Sequence, residues 1–269
     1  MSILRQALKT VFFATAATLC GCSPPVPADC LAVRDPVATD CVAIDGQNWR
    51  FVEGEPEPEY AEFCSATCID FGGEMAIAGR DDLRAIPLLR KMRFIELLSI
   101  GHDKLTDLSG LELTELNRLS LSRSGATSSS TFTSLRGLGE RSPSSVVVMD
   151  ASGLTSLDAL PARGLTAFQA TNVGLTDVDF TGFNDLRLLN ISGAESLTSV
   201  RLPSGPMQGV GFSRNGSLSR LDWAQGLALE SASFVQNRSL SSCRIQEFID
   251  SVIPEGRNPG FVTSNGPCP

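Results

Sequence analysis

Apolar residues recur along this chain as triplets with a different residue at the centre, and the triplets return at a near-constant interval. Leu98-Ser99-Ile100, Leu119-Ser120-Leu121, Phe168-Gln169-Ala170 and Leu189-Asn190-Ile191 are examples. A leucine-led segment follows each, such as Leu175-Thr176-Asp177-Val178 or Leu197-Thr198-Ser199-Val200. A strand turns alternate side chains to opposite faces, so the outer members of a triplet point the same way. The expected inward pairs are Met75/Ile77, Leu98/Ile100, Leu119/Leu121, Val147/Met149, Phe168/Ala170, Leu189/Ile191, Val210/Phe212 and Ala232/Phe234, all apolar. Between them stand Ala76, Ser99, Ser120, Val148, Gln169, Asn190, Gly211 and Ser233, small or polar except Val148. The anchors Leu83, Leu105, Leu154, Leu175, Leu197, Leu218 and Leu240 are spaced by 22, 49, 21, 22, 21 and 22 residues, the long step spanning a weak copy at Leu119. One coil of this size cannot bury its apolar edge alone; stacked coils can. The pattern predicts a β-rich solenoid of about eight stacked 21–22-residue coils with a parallel sheet.

Both ends of the repeat carry different patterns. Ile245, Phe248, Ile249 and Val252 share one helical face, with Ser242 as candidate cap and Pro254 and Gly256 as stop signals. A short C-terminal helix is expected to cover the open end of the core. Cys243 and Cys268 bracket it, and closing that loop would contribute roughly 3–4 kcal/mol on the chain-entropy model. At the other end, Val42-Ala43-Ile44 and Trp49-Arg50-Phe51-Val52 flank Asp45-Gly46, a pattern that predicts a hairpin. Glu53 to Glu59 alternates acids with Pro56 and Pro58 and reads as an exposed linker. The expected organisation is a targeting segment over 1–21, a tether and small disulfide-pinned cap over 22–63, and the solenoid with its C-terminal cap over 64–269.

The targeting segment has a short positive start, Arg5 and Lys9, then an apolar run from Val11 to Leu19 that is short for a membrane span. Leu19-Cys20-Gly21-Cys22 follows and looks like a bacterial lipobox. That resemblance implies cleavage after Gly21 and acylation of Cys22, with Ser23 matching the outer-membrane sorting pattern. Each methylene of the acyl chains that enters the bilayer adds about 0.8 kcal/mol to anchoring. The remaining cysteines, Cys30, Cys41, Cys64, Cys68, Cys243 and Cys268, are even in number and suit disulfides in an oxidising compartment. The first four could in principle hold zinc, but they contain no C-x-x-C pair. Cys64 and Cys68 are candidate partners for Cys30 and Cys41.

Composition narrows the function classes. The formal net charge is −8, and losing Arg5 and Lys9 with the leader makes it two units more negative. Such a chain repels nucleic acid and anionic headgroups. His102 is the single histidine, so a Ser–His–Asp site would rest on it alone, and a surface turn is its expected setting; no Gly-x-Ser-x-Gly elbow is present. Asp81, Asp82, Asp103, Glu112 and Glu115 lack the loop pattern of a calcium site and read as solvated turn acids. Gly72-Gly73 does not form a phosphate loop. Asn190, Asn215 and Asn237 begin N-x-S sequons. No residue set supports a catalytic centre, cofactor or metal. The Ser-rich stretch 122–134, centred near Ser128, lengthens one coil and is a candidate loop for function.

The repeat resembles the leucine-rich repeat and, more closely, the receptor L-domain-like repeats of bacterial surface lipoproteins. The matching residues are Asn215-Gly216-Ser217-Leu218 and Asn237-Arg238-Ser239-Leu240, with asparagine three residues after an inward strand residue. Asp103 holds that place in an earlier coil, while Ser152, Val173 and Ala194 depart from it. The resemblance implies a ladder of turn asparagines, interrupted in the middle. It is specific for architecture and says little of function; with the lipobox-like segment, the leading expectation is a lipid-anchored envelope protein, at the outer membrane, that binds or adheres through its exposed sheet. The expected face comprises Ser99, Ser120, Asp150, Gln169, Thr171, Asn190, Ser192, Ser213 and Ser233, and its expected partner is a protein or polysaccharide, contacted weakly or multivalently. The alternative is a structural envelope lipoprotein with no soluble ligand, and the third reading is a hydrolase.

Overall fold

In a computed structural model the chain is described over residues 40–55, 60, 63–123, 130–254 and 260–268. The targeting segment, Cys22, Cys30 and the loop at Ser128 lie outside the described residues. The chain winds as a parallel β-solenoid of about eight turns with, among the described residues, a single α-helix near the C-terminus.

The main sheet has ten strands, each hydrogen-bonded to the next coil. They are β1 (Val42–Val52), β2 (Ile69–Ala78), β3 (Met92–Gly101), β4 (Glu115–Ser122), β5 (Ser145–Met149), β6 (Ala167–Thr171), β8 (Leu188–Ser192), β10 (Pro206–Ser213), β12 (Ala228–Val235) and β13 (Val262–Thr263). A second, three-stranded sheet is made by β7 (Asp177–Asp179), β9 (Ser199–Leu202) and β11 (Arg220–Trp223). These short strands are the leucine-led segments of the repeat. Their central residues Val178, Val200 and Leu221 are buried, so the core is closed from two sides.

Seven of the eight expected inward pairs are buried; the β5 pair is not. There, Val146 and Val148 point inward, while Val147 and Met149 are half-exposed. Val146-Val147-Val148-Met149 is continuously apolar, so alternation leaves its phase open. The backbone ladder sets the phase: Val146 pairs with Leu119 and Phe168, Val148 with Leu121 and Ala170. Val148→Asp is therefore expected to cost several kcal/mol and Val147→Asp less than about 1 kcal/mol. Equal shifts in urea melts of the two variants would contradict this register.

The expected hairpin at Asp45-Gly46 does not form. Val42–Val52 is one strand, paired parallel with β2 across a bulge between Asp45 and Asn48. Trp49 and Phe51 supply another inward pair, so the sheet begins inside the span assigned to the cap. Gly73 serves the bulge: a Cβ there would lie 1.9 Å from the Gln47 carbonyl oxygen. Cys41–Cys68 ties the beginning of β1 to that of β2, and Cys64 is also disulfide-bonded.

At the other end, α1 (Ser242–Val252) buries Ile245, Phe248, Ile249 and Val252. Its cap is Ser241 rather than Ser242, the Ser241 hydroxyl accepting from Arg244 N–H at 3.1 Å. Phe248 packs edge-on against Trp223 and Phe234, at 5.0 and 5.7 Å between centroids, and Phe234 stacks on Phe212. The Cys243–Cys268 bridge closes this cap. No helix among the described residues is long and apolar enough to cross a membrane.

Candidate binding face

The parallel register converts the repeat into rows that run across the strands. One row is Ser99, Ser120, Val147, Gln169, Asn190, Gly211 and Ser233. The next is Met149, Thr171, Ser192, Ser213 and Val235. Eight of the nine residues expected on the face therefore stand on two adjacent rows. Asp150 does not. It follows β5 in a left-handed turn, φ 58°, alongside Asn172, Arg214, Gln236 and Ser264 of later coils. It accepts from the Asn172 amide at 2.8 Å and belongs to the rim. A third row, Ser145, Ala167, Leu188, Gly209 and Ser231, flanks the first.

Over β5, β6, β8, β10 and β12 these three rows contain no charged and no aromatic residue. The earlier strands of the same sheet are different. Arg93 forms a two-pronged ion pair with Asp70, and Glu96 accepts from Asn117 and Arg118 at 2.9 and 3.0 Å. Ser99 donates to Glu74 at 3.2 Å. The sheet thus has a charged end, with its charges paired, and a neutral end. Within the neutral end Ser213 donates to Ser192 at 2.8 Å. The Gln169 and Asn190 side chains make no hydrogen bond among the described residues. They are register neighbours. A Cβ on Gly211 would lie 2.2 Å from the Asn190 Oδ1, so the missing side chain is what lets the amide lie over β10.

The asparagine ladder lies at the edge of this face and is internal. Asn215 and Asn237 are fully buried. Asn215 Oδ1 accepts from Ala194 N–H at 2.9 Å and its Nδ2 donates to the Ile191 carbonyl at 2.9 Å. Asn237 repeats this with Asn215 N–H at 3.2 Å and the Phe212 carbonyl at 2.8 Å. Asn265, absent from the sequence reading, adds a last rung with Asn237 N–H and the Phe234 carbonyl. In the β5 coil the slipped phase puts Ala151, not Ser152, at the rung position, and Ala151, Val173 and Ala194 are buried. The sequons at Asn215 and Asn237 are thus packing positions.

His102 is fully buried, not a surface-turn residue. Its Nε2 meets the Met149 carbonyl at 2.9 Å, and a carbonyl only accepts, so Nε2 carries a proton. Nδ1 meets the Ser130 hydroxyl at 2.8 Å, and the ring packs on Phe132. The imidazole bridges three coils, with a main-chain carbonyl where an orienting carboxylate would stand in a hydrolytic triad. Among the described residues no cluster of three His, Cys, Asp or Glu is placed to hold a metal ion.

An open cleft of about 510 Å³ lies over the second sheet. Asp177, Ser199 and Arg220 form one row there, and Asp179, Arg201 and Asp222 the other. Asp177 is held below the ordinary carboxylate range by the Ser199 and Thr198 hydroxyls, and Asp179 by Thr181, with Arg201 adding an ion pair at 3.2 Å. Asp222 is paired with Arg220 and Arg244. Asp179 and Arg201 thus pair across coils, while Asp222 pairs within β11 and with α1. The signal that could have found this sheet is the polar–apolar–polar step in Asp177-Val178-Asp179, Ser199-Val200-Arg201 and Arg220-Leu221-Asp222. No protein-family model, curated protein or solved structure matches the chain.

Proposed function

We propose that this chain is a lipid-anchored module of the bacterial cell envelope, at the outer membrane, that binds a partner through the neutral outer face of β5 to β12. One observation carries the reading: the amides of Gln169 and Asn190, without partners among the described residues, stand side by side on rows free of charged residues, in a chain that is 19 % charged. Surface hydrogen-bonding groups without internal partners are available to a ligand at little reorganisation cost. The anchor rests on the lipobox-like Leu19-Cys20-Gly21-Cys22.

The face is tested on intact cells with a photoreactive phenylalanine analogue at Ser213. Illumination is expected to give an adduct. Combining Gln169→Glu, Thr171→Lys and Asn190→Asp should cut its yield about tenfold while each outward-facing change stays within about 0.5 kcal/mol of stability. If no adduct forms at Ser213, the structural lipoprotein without a soluble ligand becomes the better reading. For the anchor, Cys22→Ala is expected to move the protein from the membrane pellet to the soluble fraction. A variant that still needs detergent for extraction would contradict acylation at Cys22.

A further inference from the structure

We infer that the partner of this face is an uncharged polysaccharide, an inference that rests on the binding-module reading above. Charge is the first argument. A charged polymer or an ordinary protein surface would bring ions against rows that offer no counter-charge, and desolvating them there would go uncompensated. Arg118 of the Glu96 pair, Arg187, Arg214 and Glu230 border the patch, and none stands on its three rows over β5 to β12. A neutral chain meets no such penalty.

Size and anchors are the second. Strands about 4.8 Å apart and same-face residues about 6.7 Å apart make this patch about 480 Å². A stable protein interface needs about 800 Å² per partner, with buried tryptophan, tyrosine or arginine at its centre. The three rows hold none of these. A second copy of this chain or another folded protein would gain little here.

Hydrogen bonding is the third. Each amide offers two donors and an acceptor, which suits hydroxyl groups that both give and accept. The Gly211 gap leaves the Asn190 amide flat on the sheet, while Leu188 on the same strand, and Val147 and Met149 beside Gln169 and Thr171, offer apolar contact to C–H faces of sugar rings. Because the rows repeat from coil to coil, a ligand that also repeats can hold several weak contacts at once.

The test is retardation of the full chain in native gels containing dextran, amylose, a mixed-linkage β-glucan or galactomannan, with alginate as the acidic comparison. At least one neutral polymer is expected to retard the wild type, equally at low salt and at about 1 M salt, where surface ion pairing is screened. Gln169→Ala with Asn190→Ala should lower the association constant about tenfold. Gly211→Ala, which displaces the Asn190 amide without touching the core, should lower it about threefold with an unchanged melting temperature. Retardation by none of the neutral polymers, by alginate alone in a salt-sensitive way, or equally in all variants overturns the inference. An adduct of protein mass at Ser213 overturns it too but leaves the binding-module reading standing; absence of any adduct removes both.

Discussion

Phe212→Asp is expected to unfold the C-terminal half of the solenoid. Phe212 is buried on the inward row of β10, between Ile191 and Phe234 in the sheet register, and stacks on the Phe234 ring at 5.7 Å. Removing a buried phenylalanine costs about 3–5 kcal/mol through lost contacts and the void left behind. An aspartate adds the penalty of a carboxylate with no counter-charge, or of holding it protonated, at several kcal/mol more. The sum rivals the whole stability of an ordinary domain, about 5–15 kcal/mol. Ser233→Asp, on the outward row of the neighbouring strand, is the control and should stay within about 0.5 kcal/mol. A urea midpoint of Phe212→Asp that coincides with the wild type would contradict the inward assignment.

Asn237→Ala is expected to be the most damaging loss of a polar side chain. It leaves the Asn215 N–H without its partner and removes a bond to the Phe212 carbonyl, in a place where water does not reach. The orphaned N–H costs about 1–3 kcal/mol and the lost carbonyl bond about 1 kcal/mol more, so the variant should lose about 2–4 kcal/mol. Ser239→Ala removes an exposed bond to the Gly216 carbonyl two residues further along and should cost under about 1 kcal/mol. Hydrogen exchange gives a local readout: the Asn215 amide should exchange much faster in Asn237→Ala and at the wild-type rate in Ser239→Ala. Equal protection in both would mean that the ladder does not support the turns.

The architecture was legible because a coil of 21–22 residues repeats its burial pattern, and alternation of apolar and polar residues reads directly as inside and outside. It failed where that contrast vanished. Val146 to Met149 is apolar throughout, and only hydrogen bonding to β4 and β6 sets its phase. The β1 strand was obscured for a different reason. Asp45-Gly46 carries the chemistry of a tight turn, but Gly73 on β2 makes room for a bulge, and the chain runs straight on. His102 could not be placed from sequence, since its partners Ser130 and Met149 lie 28 and 47 residues away. The candidate face was largely readable as residues. Its division into a charged and a neutral end was not, because that depends on which outward residues become neighbours across coils.

The two bridges within the described residues, Cys41–Cys68 and Cys243–Cys268, sit at opposite ends of the stack. A solenoid of neighbour-only contacts melts as a one-dimensional chain, and its end coils, with a neighbour on one side only, fray first. Here the first strand is stapled to the second, and the terminal cap is closed on itself. Loss of structure is thereby pushed from the ends toward the interior, where a coil must break two interfaces at once. An oxidised chain should therefore open late and abruptly, whereas a reduced one would peel coil by coil.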